Sequence, residues 1–254
     1  MGSSSSARVN HEAEGPKQSG ARPGWTRFVC ISDTHSHVCP VPPGDVLIHA
    51  GDLSSWGSLA QLKLTIDWLM TLPHPTKIII AGNHDARSSK IALNVGLQDV
   101  EKARSIMKSE AVRNAGIHYL EYESMDLTTA TGKTWKIYGS PACPRYAPGC
   151  FQYTTEDEAK EIYSRIPQDT EILLTHTPPH GMLDLSRKGT HAGCKTLSRR
   201  LEELTSCRLH VFGHIHEASG VHINPAEGRR PERVSVNGAV VWGHQVAVVD
   251  LEDF

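Results

Sequence analysis

Five short apolar runs, each stopping against a polar motif, constrain this chain more than any other feature. Arg27-Phe28-Val29-Cys30-Ile31 leads into Asp33-Thr34-His35, and Asp45-Val46-Leu47-Ile48-His49 leads into Gly51-Asp52. Lys77-Ile78-Ile79-Ile80-Ala81 leads into Gly82-Asn83-His84-Asp85. Glu171-Ile172-Leu173-Leu174-Thr175 precedes His176, and Arg208-Leu209-His210-Val211-Phe212 precedes Gly213-His214-Ile215-His216. The first three runs are β-branched and nearly continuous in hydrophobicity, the pattern of strands covered on both faces. Open α/β sheets build their sites at the carboxyl ends of such strands, where rigid strands hold the backbone and loops aim the side chains.

The intervening segments supply the covering elements. Leu59, Leu62, Ile66 and Leu69 recur at three- and four-residue steps and predict one face of an amphipathic helix. A weaker helical segment is expected near 99–111, and a charged helix near 155–165, where Glu156-Asp157-Glu158 suits a helix start. Leu197, Leu201 and Leu204 line another helix. Met125 and Leu127 alternate on one side of Thr131-Gly132-Lys133, and Trp135 and Ile137 on the other, as in an antiparallel hairpin. Val234-Ser235-Val236 and Val246-Ala247-Val248-Val249 read as closing strands. Alternating strands and helices with antiparallel additions make a layered α/β domain.

Residues 1–24 are rich in Ser, Gly and Pro and hold few large apolar groups, so the expectation is a disordered tail before one domain over 25–254. Met1-Gly2 with Ser6 matches the loose N-myristoylation pattern at Gly2, but a solvated Ser-rich tail is the favoured reading. The opening residues lack the apolar core of a signal peptide. Six cysteines without a Cys-x-x-Cys pair point to reduced thiols and a cytoplasmic protein. No run is long and apolar enough for a transmembrane segment. A formal charge of −2 argues against stable nucleic-acid binding, and the basic run Gly228-Arg229-Arg230-Pro231-Glu232-Arg233 lacks interleaved aromatics. The oligomeric state is not legible.

Carboxylates, imidazoles and one amide are the donor set for two divalent ions side by side. Mixed oxygen and imidazole donors suit Mn²⁺, Fe or Zn²⁺ rather than Mg²⁺ or Ca²⁺. A dinuclear site produces hydroxide near neutral pH and stabilises the attacking and leaving oxygens of a phosphoryl transfer. Asp52 is the expected bridge. His84 stands beside Asn83, so the two side chains diverge, and its imidazole is free to protonate a leaving alkoxide.

The order Asp-x-His, Gly-Asp, Gly-Asn-His-Asp, His, Gly-His-x-His resembles the signature of the calcineurin-like metallophosphoesterase superfamily. That resemblance implies a four-layer α/β/β/α sandwich with mixed sheets and a dinuclear centre. By motif, Asp33, His35, Asp52 and His216 would hold one ion, Asp52, Asn83, His176 and His214 the other, and His84 would be the catalytic histidine. Residues 27–36, 138–141, 174–181 and 209–213 resemble the brain metallophosphoesterase-domain-containing proteins. This implies class III phosphodiesterase-like activity on a small phosphoester substrate, with 3′,5′-cyclic nucleotides and other nucleotide-type diesters as candidates.

Three alternatives are set beside this, of which a nuclease is opposed by the acidic balance and the lack of an evident DNA-binding extension. A phosphomonoesterase or protein phosphatase would follow Gly-Asp with Asp-Arg-Gly, whereas Leu53-Ser54-Ser55-Trp56-Gly57 stands here. That absence also leaves open what orients His84. A non-catalytic scaffold of the same fold would be expected to lose ligand residues, and all are retained. Arg145, His180 and Asn237 are further candidates for substrate contact, each weighed against an ordinary loop or structural role.

Overall fold

A computed structural model describes residues 6–10, 22–85, 96–228 and 230–254. The five apolar runs all become strands, and they divide between two six-stranded sheets. The first sheet contains β1 (Ala7–Asn10), β2 (Trp25–Ile31), β3 (Val46–Ala50), β4 (Thr76–Ile80), β5 (Ile117–Tyr119) and β14 (Ala247–Glu252). Its order is β1-β14-β2-β3-β4-β5, with β2 to β5 parallel and the other two pairings antiparallel. The second contains β6 (Glu123–Thr128), β7 (Thr134–Ser140), β10 (Ile172–Thr175), β11 (Leu209–Phe212), β12 (Gly220–Asn224) and β13 (Arg233–Asn237). Here β7, β10, β11 and β13 are parallel, and antiparallel β6 and β12 close the edges. A small pair, β8 (Cys143–Pro144) with β9 (Gln152–Tyr153), stands apart.

The period-2 alternation of strand side chains distributes residues among three cores. Phe28, Cys30, Ile48, Ile78 and Ile80 face Trp135, Ile137, Ile172, Leu174 and Val211 between the sheets. Their neighbours Val29, Ile31, Leu47 and Ile79 point the other way, onto α1 (Leu59–Thr71), α2 (Gly96–Met107) and α3 (Glu110–Asn114). On the outer face of the second sheet, Tyr138 and Leu173 pack on α4 (Glu156–Ser164) and α5 (Lys195–Glu203). The result is the expected layering of helices, sheet, sheet and helices. In α1 the buried residues include Leu62, Ile66 and Leu69, as their spacing requires. The acidic start of α4 carries a full capping box: Thr155 accepts from the Glu158 N–H while Glu158 accepts from the Thr155 N–H.

One expectation is corrected. Residues 7–10, assigned to a disordered tail, form β1 along β14. The open edge of β14 would otherwise present unpaired backbone groups, and the tail supplies partners from Ala7↔Leu251 to Asn10↔Val248. Arg208 helps anchor it: one nitrogen donates to the Ser6 carbonyl at 3.2 Å, the other to the Glu252 carbonyl at 2.7 Å. The Arg8 guanidinium lies 5.2 Å from the Trp25 ring centroid. Gly2 lies outside the described residues. Among the described residues no helix is long and apolar enough to cross a membrane.

Because β2, β3, β4, β10 and β11 belong to the parallel parts of their sheets, their carboxyl ends collect at one edge of the sandwich. Backbone bonds lace the loops there: Ser32 N–H to Gly238 O at 2.6 Å, Gly238 N–H to Phe212 O at 2.8 Å, and Gly213 N–H to His176 O at 3.1 Å. The two sheets are thus joined where the polar motifs stand.

Candidate metal centre

The motif loops take conformations that L-residues rarely adopt. Asp33, His35, Asp52 and His214 have φ of 54°, 48°, 53° and 68°. Positive φ outside glycine carries a strain cost and clusters where a side chain must be aimed. Each sharp reversal turns a side chain from the strand direction into the common edge. Gly213 allows the closest approach, since a β-carbon there would collide with the Asp33 carboxylate and the Ser32 hydroxyl.

Asp33, His35, Asp52 and His216 each offer one ligand atom, and these atoms lie within 4.8 Å of one another. The Nε2 atoms of His35 and His216 are 3.2 Å apart, and His216 Nε2 is 3.1 Å from Asp33 Oδ1. Two imidazoles sharing one ion at about 2.1 Å with a near-right angle would be separated by about 3 Å, so the donor spacing fits a cation. The Nδ1 of His35 faces the Ser54 carbonyl at 3.3 Å, which leaves Nε2 as the inward atom. Asp33 itself accepts the His214 N–H on both oxygens, at 3.1 and 3.0 Å.

The remaining donors converge beside this group. His176 turns Nδ1 to the Ala50 carbonyl at 3.0 Å and Nε2 to Asn83 Oδ1 at 3.0 Å. Its Nε2 is 3.4 Å from Asp52 Oδ1, while His35 Nε2 is 3.8 Å from Asp52 Oδ2. Asp52 therefore presents one oxygen to each half. The His214 ring stands edge-on to His176, centroids 4.9 Å apart. Among these side chains, Asp33, His35, Asp52 and His216 form a candidate metal-binding cluster, and Asn83, His176 and His214 stand beside it.

Electrostatics agrees with that arrangement. Burial disfavours the ionised form of Asp33, but the His216 hydrogen bond and the His176, His216 and His35 rings hold its carboxyl far below the usual range. Burial likewise works against Asp52 ionisation and is outweighed by His176. Burial and the neighbouring His176 push His214 down to about 4, and burial also lowers His35, so both imidazoles are neutral at pH 7. His176 is the exception: burial lowers it, but the Asp52 and Asp33 charges prevail and raise it to about 9. A cation held by His176 would have to displace that proton. Since the protonated form prevails below about 9, Mn²⁺ affinity should fall as pH drops from 9 to 6, with protons released on binding. Calorimetric titrations in buffers of different ionisation enthalpy read the release; a pH-independent affinity without proton release contradicts it.

The orientation of His84 has a clear source. Its Nδ1 donates to the Ser55 carbonyl at 2.7 Å, and its backbone N–H donates to Asp52 Oδ1 at 2.8 Å. Nε2 is the remaining nitrogen, and the ring stands edge-on to His35 with centroids 5.0 Å apart. The Leu53-Ser54-Ser55 segment thus supplies a carbonyl partner through its backbone. Asp85, adjacent in sequence, bonds elsewhere: its oxygens accept the N–H groups of Gly82, Leu53 and Ser54 at 2.8, 3.0 and 2.7 Å. It ties two motif loops together, and burial with the Asp52 charge pushes its carboxyl up to about 7.

The three substrate-contact candidates fare differently. Asn237 is buried and its amide is spent on backbone, Nδ2 donating to Leu183 O and Ile215 O at 3.0 and 2.8 Å and Oδ1 accepting from Ala239. It clamps two loops, a correction to the expected substrate contact. His180 turns toward Asp184, with Nδ1 3.8 Å from Oδ2, and its ring centroid is 5.5 Å from that of His191. The buried Asp184 also accepts from Gly181, Gly193 and His191, so His180 belongs to a loop-ordering group. Arg145 is exposed on the loop between β8 and β9. His49 is buried and pairs with Thr34 Oγ1 at 2.9 Å.

The calcineurin-like phosphoesterase family profile matches residues 26–218, which contain every donor and His84. The chain belongs to the calcineurin-like phosphoesterase family. It is 37% identical over 219 residues to metallophosphoesterase domain-containing protein 1 of Homo sapiens, covering 84% of this chain and 65% of that protein. It is 33% identical over 213 residues to a UPF0046 protein of Caenorhabditis elegans, covering 78% and 71% respectively. It is also 39% identical over 198 residues to a probable rhamnogalacturonate lyase C of Emericella nidulans, matching only 18% of that longer protein. The chain therefore spans a little under two thirds of the human relative's length.

Proposed function

We propose that the chain is a metal-dependent phosphodiesterase acting on a small phosphodiester, with nucleotide-type esters and 3′,5′-cyclic nucleotides as candidates. The observation that carries this reading is the convergence of seven donors from both sheets beside an imidazole that is not among them. Asp33, His35, Asp52 and His216 would hold one divalent ion, and Asp52, Asn83, His176 and His214 the other. Such a pair of Mn, Fe or Zn ions supplies positive charge for phosphoryl oxygens and acidifies a water nucleophile.

The protein's own contribution is positioning. Strand-end loops with positive φ hold the carboxylates and imidazoles in place before substrate arrives. The Ser55 carbonyl fixes the His84 tautomer with the proton on Nδ1, so the neutral ring accepts at Nε2 and its protonated form donates there. On this reading that nitrogen, at the edge of the donor group, would protonate a leaving oxygen. The departure from Asp-Arg-Gly after Asp52 weighs against the protein-phosphatase reading.

A substrate panel on Mn²⁺-reconstituted protein tests the proposal. It includes 3′,5′- and 2′,3′-cyclic nucleotides, linear diesters and monoesters. Diesters should exceed monoesters in kcat/KM by about tenfold or more, a difference of about 1.4 kcal/mol in transition-state stabilisation. Faster monoester turnover would reverse the assignment.

A further inference from the structure

Among the described residues, three aromatic side chains are strongly exposed: Trp56 at 65%, Tyr146 at 78% and Phe254 at 66%. Phe254 has a structural role, since its ring covers the Arg208 guanidinium at 4.3 Å. The other two border the metal centre. Trp56 lies 6.5 Å from the His84 ring centroid, and Tyr146 lies edge-on to His214 at 6.1 Å. A single exposed aromatic needs no explanation. Two of them, one at each half of the donor group, do.

Neither loop is loosely attached. Trp56 follows the residue whose carbonyl orients His84, and its own N–H donates to Gln61 Oε1 at 2.9 Å. Gly57 donates to Ser54 Oγ at 3.1 Å. The Tyr146 loop is anchored on the backbone of a ligand residue, Cys150 N–H donating to Asn83 O at 3.0 Å. Gly149 packs so close that a β-carbon would lie 2.7 Å from the same carbonyl. Both rings are thus held at the site by its own framework while keeping much of their surface in water.

We infer that Trp56 and Tyr146 are specificity-determining residues that stack on planar rings of the two ester arms of the substrate. Trp56 takes the leaving arm and Tyr146 the retained arm. The assignment of arms rests on the reading of His84 as the group serving the leaving oxygen, because Trp56 adjoins His84 and Tyr146 adjoins the opposite half. The substrate class this favours is a phosphodiester with an aromatic or nucleobase-bearing group on each side. Stacking tolerates any base, because every base has a π-face.

The test compares thymidine 5′-(4-nitrophenyl) phosphate with methyl 4-nitrophenyl phosphate on the full Mn²⁺-loaded chain. The first carries rings on both arms, the second on the leaving arm alone. Y146A should lower the ratio of their kcat/KM values about tenfold, the scale of one stacking contact. W56A should lower both values about tenfold, mainly through KM, and keep their ratio, with W56F recovering most of the loss. Thymidine 5′-monophosphate binding, followed by calorimetry, gives a readout without turnover and should weaken about tenfold in Y146A. If the wild-type chain hydrolyses neither diester but Y146A still weakens nucleotide binding, the ring contact stands and the diesterase reading falls. Unchanged ratios and unchanged nucleotide affinity, at unchanged metal content, would overturn the inference. A W56A defect confined to kcat would overturn the Trp56 half, leaving that residue a brace for His84.

Discussion

Asp52→Ala will lose bound metal and activity together. Asp52 faces both halves of the donor group and also accepts the His84 backbone N–H, so no other residue replaces its two oxygens. Removing a single preorganised donor costs about 10²–10³ in kcat. Removing a group shared between two cations should cost about 10³ or more, with the metal content of the purified protein falling in parallel. Asp52→Asn is the finer variant, because it keeps the shape and removes the charge; metal affinity should drop while thermal unfolding of the metal-free protein still shows a folded domain. Full metal content and full turnover in Asp52→Ala would remove Asp52 from the centre. The side chain is buried among imidazoles that its charge stabilises, so circular dichroism should accompany each assay.

His84→Ala has the opposite signature. No donor of the metal set is deleted, so metal content should stay near wild type. The chemical step should suffer in proportion to the leaving group's need for a proton. For a diester that expels a simple alkoxide, loss of a general acid costs about 10²–10⁴ in kcat. For one that expels 4-nitrophenolate, stable without protonation, the loss should be far smaller. A plot of log kcat against leaving-group pKa should therefore steepen in the variant. Parallel lines for the two proteins would show that His84 does not serve the leaving oxygen. The Ser55 carbonyl that orients the ring is backbone, so Ser55→Ala should keep His84 in place even though it deletes the Ser55 hydroxyl bond to His35 O.

Much of this was legible in the residues because the strands and their polar ends are local in sequence. The apolar runs specify where the backbone is buried, and a motif starting one or two residues later must emerge at a strand end. The parallel strand pairings then bring those ends to one edge, whatever the loops between them do. Three features escaped that logic. Ala7–Asn10 forms a strand only because β14 offers an open edge more than two hundred residues away, and nothing in the polar tail announces it. Asn237 looks like a candidate substrate contact from its position, but its partners are carbonyls of Leu183 and Ile215, invisible to side-chain patterning. The partner of His84 is likewise a carbonyl, so a search for acidic side chains near Gly51-Asp52 could not find it. Trp56 and Tyr146 were readable as residues, but only folding places both beside imidazoles of the site.

The most direct measurement is a count of ions. Metal-free protein titrated with Mn²⁺ should bind two per chain, and the electron paramagnetic resonance spectrum should change from the six-line signal of isolated Mn²⁺ to an exchange-coupled pair as the second ion enters. Asp52→Ala should abolish the coupled signal. Saturation at one ion per chain, or two ions that remain magnetically isolated in the wild-type protein, would contradict a centre shared through Asp52.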